Sequence, residues 1–302
     1  MNLFVTAVSY APKLALPDVQ RLRALLGAAG VTLDAETRTG DSRFEVYTAD
    51  GSVELASGPD GGEAALAGLR RSAADHGPAG VDTAIVPASL RKAQRKFLIM
   101  DVDSTLIQQE VIELLAAYAG KRDEVTAVTE AAMRGELDFA QSLHARVAVL
   151  AGLPADVVDS VRAEVKLSLG AAELVAAFRA AGHVVAVVSG GFNQILQPIA
   201  EGLGLDYWVA NDLEITDGAL TGKVVGEVID RAAKEKYLRE WAAREGIPLA
   251  QTIAVGDGAN DLDMLGAAGI GVAFNAKPAV RAVADAAVNL PYLDAVRHIA
   301  GV

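Results

Sequence analysis

The chain has 302 residues, 52% of them hydrophobic, with 39 acidic against 27 basic side chains and a formal net charge of −12. That excess of negative charge argues against a nucleic-acid partner and against an anionic membrane surface. It leaves room for a small phosphorylated ligand, because charge at a site can oppose the net charge. The absence of cysteine excludes disulfides, thiolate catalysis and cysteine metal sites.

Met1 to Tyr10 has no basic region followed by a long apolar core, so no signal peptide is expected. The most apolar window, residues 171–192, is broken by Glu173, Arg179 and His183, so no membrane span is expected either. Together these suggest a cytoplasmic protein.

Residues 1–90 read as one small domain. A strand over Leu3–Val8 is followed by a helix opened by Pro17, with Val19, Leu22, Leu25 and Leu26 on one face. Short strands follow around Val31–Leu33 and Phe44–Tyr47, then a helix near Glu63–Ala74 and a strand over Thr83–Val86. The order β-α-β-β-α-β is that of a ferredoxin-like α+β domain. Pro87 to Arg95 reads as a linker.

From about residue 91 to 302 the pattern changes. Apolar, β-branched runs at Phe97–Met100, Val184–Val188, Tyr207–Val209 and Thr252–Val255, the last clear core strand, alternate with helical stretches near 171–181, 193–202, 231–245 and 261–268. This pattern predicts a Rossmann-like, doubly wound parallel sheet with helices on both faces. Residues 108–168 form a largely helical insertion directly after the first of these strands, where it would act as a cap over the strand ends. Leu213 to Val224, with Asp217-Gly218 at its centre, predicts a β-hairpin.

Four segments carry chemistry: Asp101-Val-Asp-Ser-Thr105, Ser189-Gly190-Gly191, Lys234, and Gly256-Asp-Gly-Ala-Asn-Asp261. Three of them sit at strand carboxyl ends, where open α/β sheets bind their ligands. Asp101 and Asp103, two residues apart, would stand on one side of the chain, and such a pair repels unless a cation or proton lies between. Phosphoryl transfer needs this arrangement, because negative charge spreads over three oxygens while a nucleophile approaches in line. Asp101 suits the nucleophile and Asp103 the general acid and base. Mg²⁺ would be held by side-chain oxygens of Asp101 and Asp257 and the backbone carbonyl of Asp103. Ser189 with the amides of Gly190 and Gly191 suits a phosphate nest, and Lys234 supplies a cation for both the phosphate and Asp101.

In this order the four motifs resemble those of the haloacid dehalogenase (HAD) superfamily of phosphotransferases, and more closely its phosphoserine phosphatase family. The resemblance rests on Asp101-Val-Asp-Ser-Thr-Leu-Ile-Gln-Gln-Glu110, on Met133-Arg-Gly-Glu-Leu-Asp-Phe-Ala-Gln-Ser-Leu-His-Ala-Arg-Val147, on Val255-Gly-Asp-Gly-Ala-Asn-Asp261, on the Leu220-Thr-Gly hairpin and on the helix start at Lys234. It covers residues 96–302. It implies Asp101 as nucleophile, Asp103 as acid/base, and Asp101, Asp103 and Asp257 around Mg²⁺. Ser189, Gly190, Lys234 and Asn260 would contact the phosphate, and Asp261 would orient Lys234 and the metal's waters.

Glu110 and Arg146 match the positions that recognise the serine backbone of O-phospho-L-serine. Chemistry gives the same reading, since a carboxylate suits the ammonium and a guanidinium suits the carboxylate bidentately. Phe139 has two readings, against the substrate or against the cap. His144 reads as a solvated helix residue.

Other phosphomonoesters, transfer to homoserine, and a non-catalytic amino-acid sensor are the alternatives. Competing hydrolase patterns fail. Gly218 to Lys223 is one residue short of a P-loop, Arg297-His298 is followed by Ile299, and Val187 stands where a Gly-x-Ser-x-Gly elbow needs glycine. The N-terminal order resembles ACT domains, but Tyr10-Ala-Pro-Lys-Leu-Ala15 lacks their glycine-containing ligand loop. Its expected role is therefore assembly, as in a homodimer, ahead of serine feedback.

Overall fold

The computed structural model describes residues 2–55, 61–133, 136 and 138–302. The N-terminal part consists of β1 (Asn2–Ala11), α1 (Leu16–Ala28), β2 (Val31–Gly40), β3 (Glu45–Glu54), α2 (Gly61–His76) and β4 (Asp82–Pro87). Its four strands form one antiparallel sheet in the order β2-β3-β1-β4. Strands β2 and β3 are ten residues each, longer than the sequence pattern suggests. The outer half of β2 carries exposed Asp34, Glu36 and Arg38, and a solvated strand shows no apolar alternation.

The expected linker is not free chain. Residues 88–91 form a short helix α3 (Ala88–Arg91) whose Leu90 is fully buried, and Arg91 Nη1 donates to His298 O at 2.6 Å.

The second sheet is built from β5 (Phe97–Met100), followed by the cap helices α4 (Val111–Tyr118), α5 (Arg122–Met133), α6 (Phe139–Ala148) and α7 (Val157–Glu164). Then come α8 (Ala171–Ala180), β6 (Val184–Phe192), α9 (Asn193–Leu203), β7 (Tyr207–Thr216), β8 (Ala219–Val225) and α10 (Arg231–Arg244). The chain ends with β9 (Thr252–Gly256), α11 (Leu262–Ala267), β10 (Ile270–Phe274), α12 (Pro278–Arg281), β11 (Ala286–Val288) and α13 (Ala295–Ala300). The strand order is β11-β10-β9-β5-β6-β7-β8, parallel throughout except for the β7–β8 hairpin. Asp217 (φ 50°) and Gly218 (φ 76°) make the hairpin turn, both left-handed, as a two-residue turn between twisted strands requires.

Strands β10 and β11 are additions to the expected sheet. All five residues of β10 are buried, and the strand pairs in parallel with β9.

Because β5 is central, with β6 on one side and β9 on the other, the chain reverses its direction of travel across the sheet between β5 and β9. Ligands bind at the carboxyl ends of strands flanking such a reversal.

The two sheets share one apolar core, in which Val8, Tyr10, Phe44, Val46 and Val86 join residues of the second sheet. Polar contacts fix the junction. Tyr10 Oη donates to Ala287 O at 2.6 Å, Arg43 pairs with buried Asp294 at 2.7 Å, and Asn289 N donates to Asp82 Oδ2 at 2.7 Å.

Phe44 stacks on Tyr292 and meets the edge of His298, with ring centroids 5.8 and 5.7 Å apart. Burial, then the Arg297 and Arg91 guanidinium groups, lower the His298 pKa to about 4. The unfolded chain would therefore bind a proton that the folded chain refuses, in the window from the ordinary value of about 6.5 down to about 4. Stability from this group is present above that window and lost as pH falls through it. We expect the urea midpoint to decline between pH 6.5 and 4, and His298→Gln to decline less. An equal decline in both proteins would contradict the assignment.

Candidate active site

Strand β5 is fully buried along its length, and Asp101 extends its ladder by donating its N–H to Val255 O of β9 at 2.9 Å. The chain then makes a tight turn. Ser104 is left-handed at φ 55°, a conformation that costs a non-glycine residue of order 1 kcal/mol and must be held by its surroundings. Several bonds hold it: Ile107 N donates to Val102 O at 2.9 Å, Ser104 N to Gln109 O at 3.3 Å, and Ser104 Oγ to Glu110 Oε1 at 2.7 Å. Val111 N donates to Asp103 Oδ1 at 3.2 Å. The turn thus folds Asp103 and Glu110 back over the strand end that carries Asp101.

Beneath them lies Lys234, with no exposure to solvent. Its Nζ is 2.7 Å from Asp101 Oδ1 and 2.7 Å from Asp261 Oδ1. The first turn of α10 presents it, and Asp230 caps that helix by accepting from Ala233 N at 2.9 Å. Asp261 Oδ2 accepts from Gly258 N at 2.9 Å, so both oxygens of Asp261 are engaged. Asp101 Oδ1 also accepts from Val102 N at 2.7 Å, leaving Oδ2 less committed.

Burial sets the proton affinities here. It raises the Asp101 pKa well above the carboxylate range, helped by Asp261 and opposed by Lys234. Burial followed by the Glu110 carboxylate raises Asp103 to about 7, and burial followed by Asp261 raises Asp257 to about 6. Burial alone would lower the Lys234 pKa, but Asp101 and Asp261 outweigh it, and the ammonium is held more firmly than in water.

Carboxylate oxygens of Asp101, Asp257 and Asp261 lie within 4.8 Å of one another. An all-oxygen set of mutually repelling acids suits a hard divalent cation. These residues could hold such an ion, with Asp101 and Asp257 the better donors because Asp261 is occupied by Lys234 and Gly258.

Above this floor is a cavity of about 620 Å³ between the sheet and the cap. Of the residues expected from sequence, Asp101, Asp103, Glu110, Phe139, Arg146, Gly190, Gly191, Asp257 and Asn260 line it. Ser189 is buried just behind, and its Oγ accepts from Gly191 N at 2.8 Å, so its O–H remains available to donate. A Cβ at Gly191 would stand 2.7 Å from Asp103 Oδ2, and one at Gly190 would stand 2.8 Å from Phe139 Cζ. Both glycines are therefore needed for close approach. Phe139 seats the cap on the Gly190 loop. Arg146 is half-buried, its Nε donating to Ser142 O at 3.2 Å, and burial lowers its pKa. His144 is exposed. Of the cap segment read from sequence, residues 134, 135 and 137 lie outside the described residues.

Sequence reasoning did not pick out Ser104, Thr129, Ser142 and Lys277, which also line the cavity. Nor did it pick out Asn211, a buried amide that donates to Gly190 O at 2.8 Å and accepts from Ile229 N at 2.9 Å, tying the Gly190 loop to the approach of α10. The signal for Asn211 is an amide side chain placed directly after the apolar strand run Tyr207–Ala210.

Comparison with known proteins agrees with this geometry. Residues 98–266 match the family model of haloacid dehalogenase-like hydrolases. A phosphoserine phosphatase of Streptomyces coelicolor is 61% identical over 223 residues, which is 74% of this chain and 54% of that protein, so the chain spans about half the length of that relative. The solved structure of a phospho-aspartyl intermediate analogue of a phosphoserine phosphatase superimposes with a TM-score of 0.62 at 44% identity, covering 65% of this chain and 94% of the other. A HAD family hydrolase of Salmonella enterica subsp. enterica serovar Typhi covers 98% of both chains, with a TM-score of 0.82 at 28% identity. The shared family model, the strand-end acids and the buried lysine that joins them place this chain in the haloacid dehalogenase-like hydrolase family.

Proposed function

We propose that the chain is a Mg²⁺-dependent phosphoserine phosphatase, hydrolysing O-phospho-L-serine to L-serine and phosphate through an aspartyl phosphate on Asp101. The observation that carries this reading is one cavity with two halves. Its floor holds a buried carboxylate clamped by a lysine, and its upper wall holds Glu110 and Arg146, a pair of opposite charges that fits an amino acid's ammonium and carboxylate. The Streptomyces relative and the solved intermediate analogue support the same substrate class.

In this mechanism Asp101 Oδ2 attacks phosphorus while the bond to the serine oxygen breaks. Asp103 gives its proton to the leaving alkoxide and then takes one from water as the hydroxide attacks phosphorus. The bond to Asp101 breaks and phosphate leaves. Lys234 offsets charge on the acyl phosphate, and the Gly190 and Gly191 amides with Ser189 and Asn260 hold the phosphoryl oxygens. Mg²⁺ bound by Asp101, the Asp103 carbonyl and Asp257 would neutralise part of the charge that gathers on those oxygens.

The N-terminal domain is, in this reading, an ACT-like (ferredoxin-like) module for assembly into a homodimer, and the protein is cytoplasmic. Two observations support assembly over ligand binding. The loop after β1 is filled by its own chain, with Glu45 Oε2 accepting from Leu14 N at 2.9 Å and Arg38 donating to Leu14 O. Among the described residues β2 is the unpaired edge of its sheet, whereas β4 lies beside β11.

Turnover of phosphoserine, sugar phosphates and phosphoserine plus homoserine, each with Mg²⁺ and with excess chelator, tests the reading. We expect phosphoserine hydrolysis to dominate, to need the metal and to be indifferent to homoserine; a large preference for sugars would overturn the substrate. Arg146→Ala should raise KM for phosphoserine by about 10- to 100-fold, the worth of a charged hydrogen bond, and change KM for O-phosphoethanolamine, which has no carboxylate, far less. Equal effects would show that Arg146 does not read the carboxylate. Lys234→Met should lose turnover and about 3–5 kcal/mol of stability, because it strips the cation from two buried carboxylates. An unchanged urea midpoint would contradict that.

A further inference from the structure

One cation in the cavity wall has no role in that mechanism. Lys277 lines the same cavity as Asp103, Glu110, Asp257 and Asn260, and it stands between β10 and α12 of the sheet domain, whereas Arg146 is on the cap. Among the described residues it pairs with no carboxylate. Its backbone is nevertheless fixed. Asn275 is left-handed at φ 44°, its N–H donates to Val288 O at 2.9 Å and its Nδ2 to Leu290 O at 3.3 Å. Ala276 is buried, and Pro278 opens α12 immediately afterwards. A turn held on both sides anchors the lysine stem at the mouth while leaving the ammonium solvated and unpaired.

The charge around it gives that ammonium a task. Five carboxylates line the cavity against two cations, Arg146 and Lys277, in a protein whose net charge is −12. A phosphate monoester dianion approaching this opening meets a mostly acidic lining, offset by those two cations and, beneath the floor, by Lys234. The reading above assigns Arg146 the amino-acid carboxylate and keeps Lys234, wholly buried, at the floor, which leaves Lys277 as the solvent-facing cation for an incoming phosphate.

We infer that Lys277 is a substrate-steering residue, whose ammonium draws the phosphate dianion into the cavity mouth and retains it as inorganic phosphate departs. The inference rests on the proposed phosphatase reading and extends it to the residue that sets the capture of any phosphomonoester. It differs from the assignment of Arg146 in chemistry, because Lys277 would act on every ester with a phosphate and Arg146 only on those with a carboxylate.

Kinetics of Lys277→Gln and Lys277→Arg test it, with phosphoserine and O-phosphoethanolamine as substrates and inorganic phosphate as inhibitor, across a range of ionic strength. Lys277→Gln should lower kcat/KM about tenfold for both esters, mainly through KM, raise the inhibition constant of inorganic phosphate in parallel, and flatten the salt dependence of kcat/KM. Lys277→Arg should restore most of the loss. Unchanged kinetics would overturn the inference, as would a loss confined to phosphoserine, which would mark a carboxylate contact. Equal impairment of both variants with a lowered thermal midpoint would also overturn it, as the sign of a merely structural residue.

Failure of the substrate assignment reads differently. A wild type that prefers another phosphomonoester still reports on Lys277 through that ester. If no ester is turned over, calorimetric titration of wild type and Lys277→Gln with inorganic phosphate in Mg²⁺ decides, and equal affinities would refute the steering role.

Discussion

Lys234 is wholly buried, with one oxygen each of Asp101 and Asp261 at 2.7 Å. A lone ammonium or carboxylate in that position would cost several kcal/mol, so the three charges are tolerable only together. Each comes from a different segment: the end of β5, the first turn of α10 and the turn after β9. The ion triad therefore locks three remote pieces of chain into one floor, and the adjacency of β5 and β9 in the sheet makes the lock geometrically available. One cation against Asp101, Asp261 and the neighbouring Asp257 leaves the floor electron-rich. Burial first, and then that imbalance, keep Asp257 and Asp101 above the ordinary carboxylate range, and the excess of negative charge is the physical reason the site suits a divalent ion.

The cap depends on the same floor. Its two crossings to the sheet lie side by side. Ile107 and Leu167 form an antiparallel bridge, Gln108 N donates to Lys166 O at 2.9 Å, and Ser168 N donates to Leu106 O at 2.9 Å. One end of this paired strap is the turn through Ser104, so the residues that hold Asp103 and Glu110 in place are also the cap's root. On the far side Phe139 rests on Gly190 of the loop assigned to the phosphate nest. Movement of the cap would thus separate Arg146 from the floor while leaving the Asp101–Lys234–Asp261 triad intact. This division suits an enzyme whose specificity sits on the cap and whose chemistry sits on the sheet.

Much of this was legible in the sequence where chemistry and local pattern coincide. Apolar β-branched runs ending in acidic or glycine-rich turns marked β5, β6 and β9, and the residues at those ends are the ones that converge. The helical insertion and the hairpin at Asp217-Gly218 were legible for the same reason. Strands β10 and β11 were not, because they are only five and three residues long and are interrupted by glycine and alanine, which weaken the pattern. The outer half of β2 was hidden by its charged, solvated side chains. Lys277 and Ser104 escaped notice because nothing in their local sequence foretells the turn at Asn275 or the left-handed backbone after Asp103. The segment from Pro87 to Arg95 read as a linker because its buried residues, Ala88 and Leu90, include only one large apolar side chain among basic and small ones.

In the proposed mechanism an oxygen of Asp101, held by Lys234, forms the bond to phosphorus. Rapid acid quenching of the protein during turnover of phosphoserine, followed by peptide mass analysis, measures this directly. One phosphoryl group is expected on the peptide that contains Asp101, and none when that residue is changed in Asp101→Asn. A phosphoryl group on any other residue, or turnover that persists in Asp101→Asn, would contradict it.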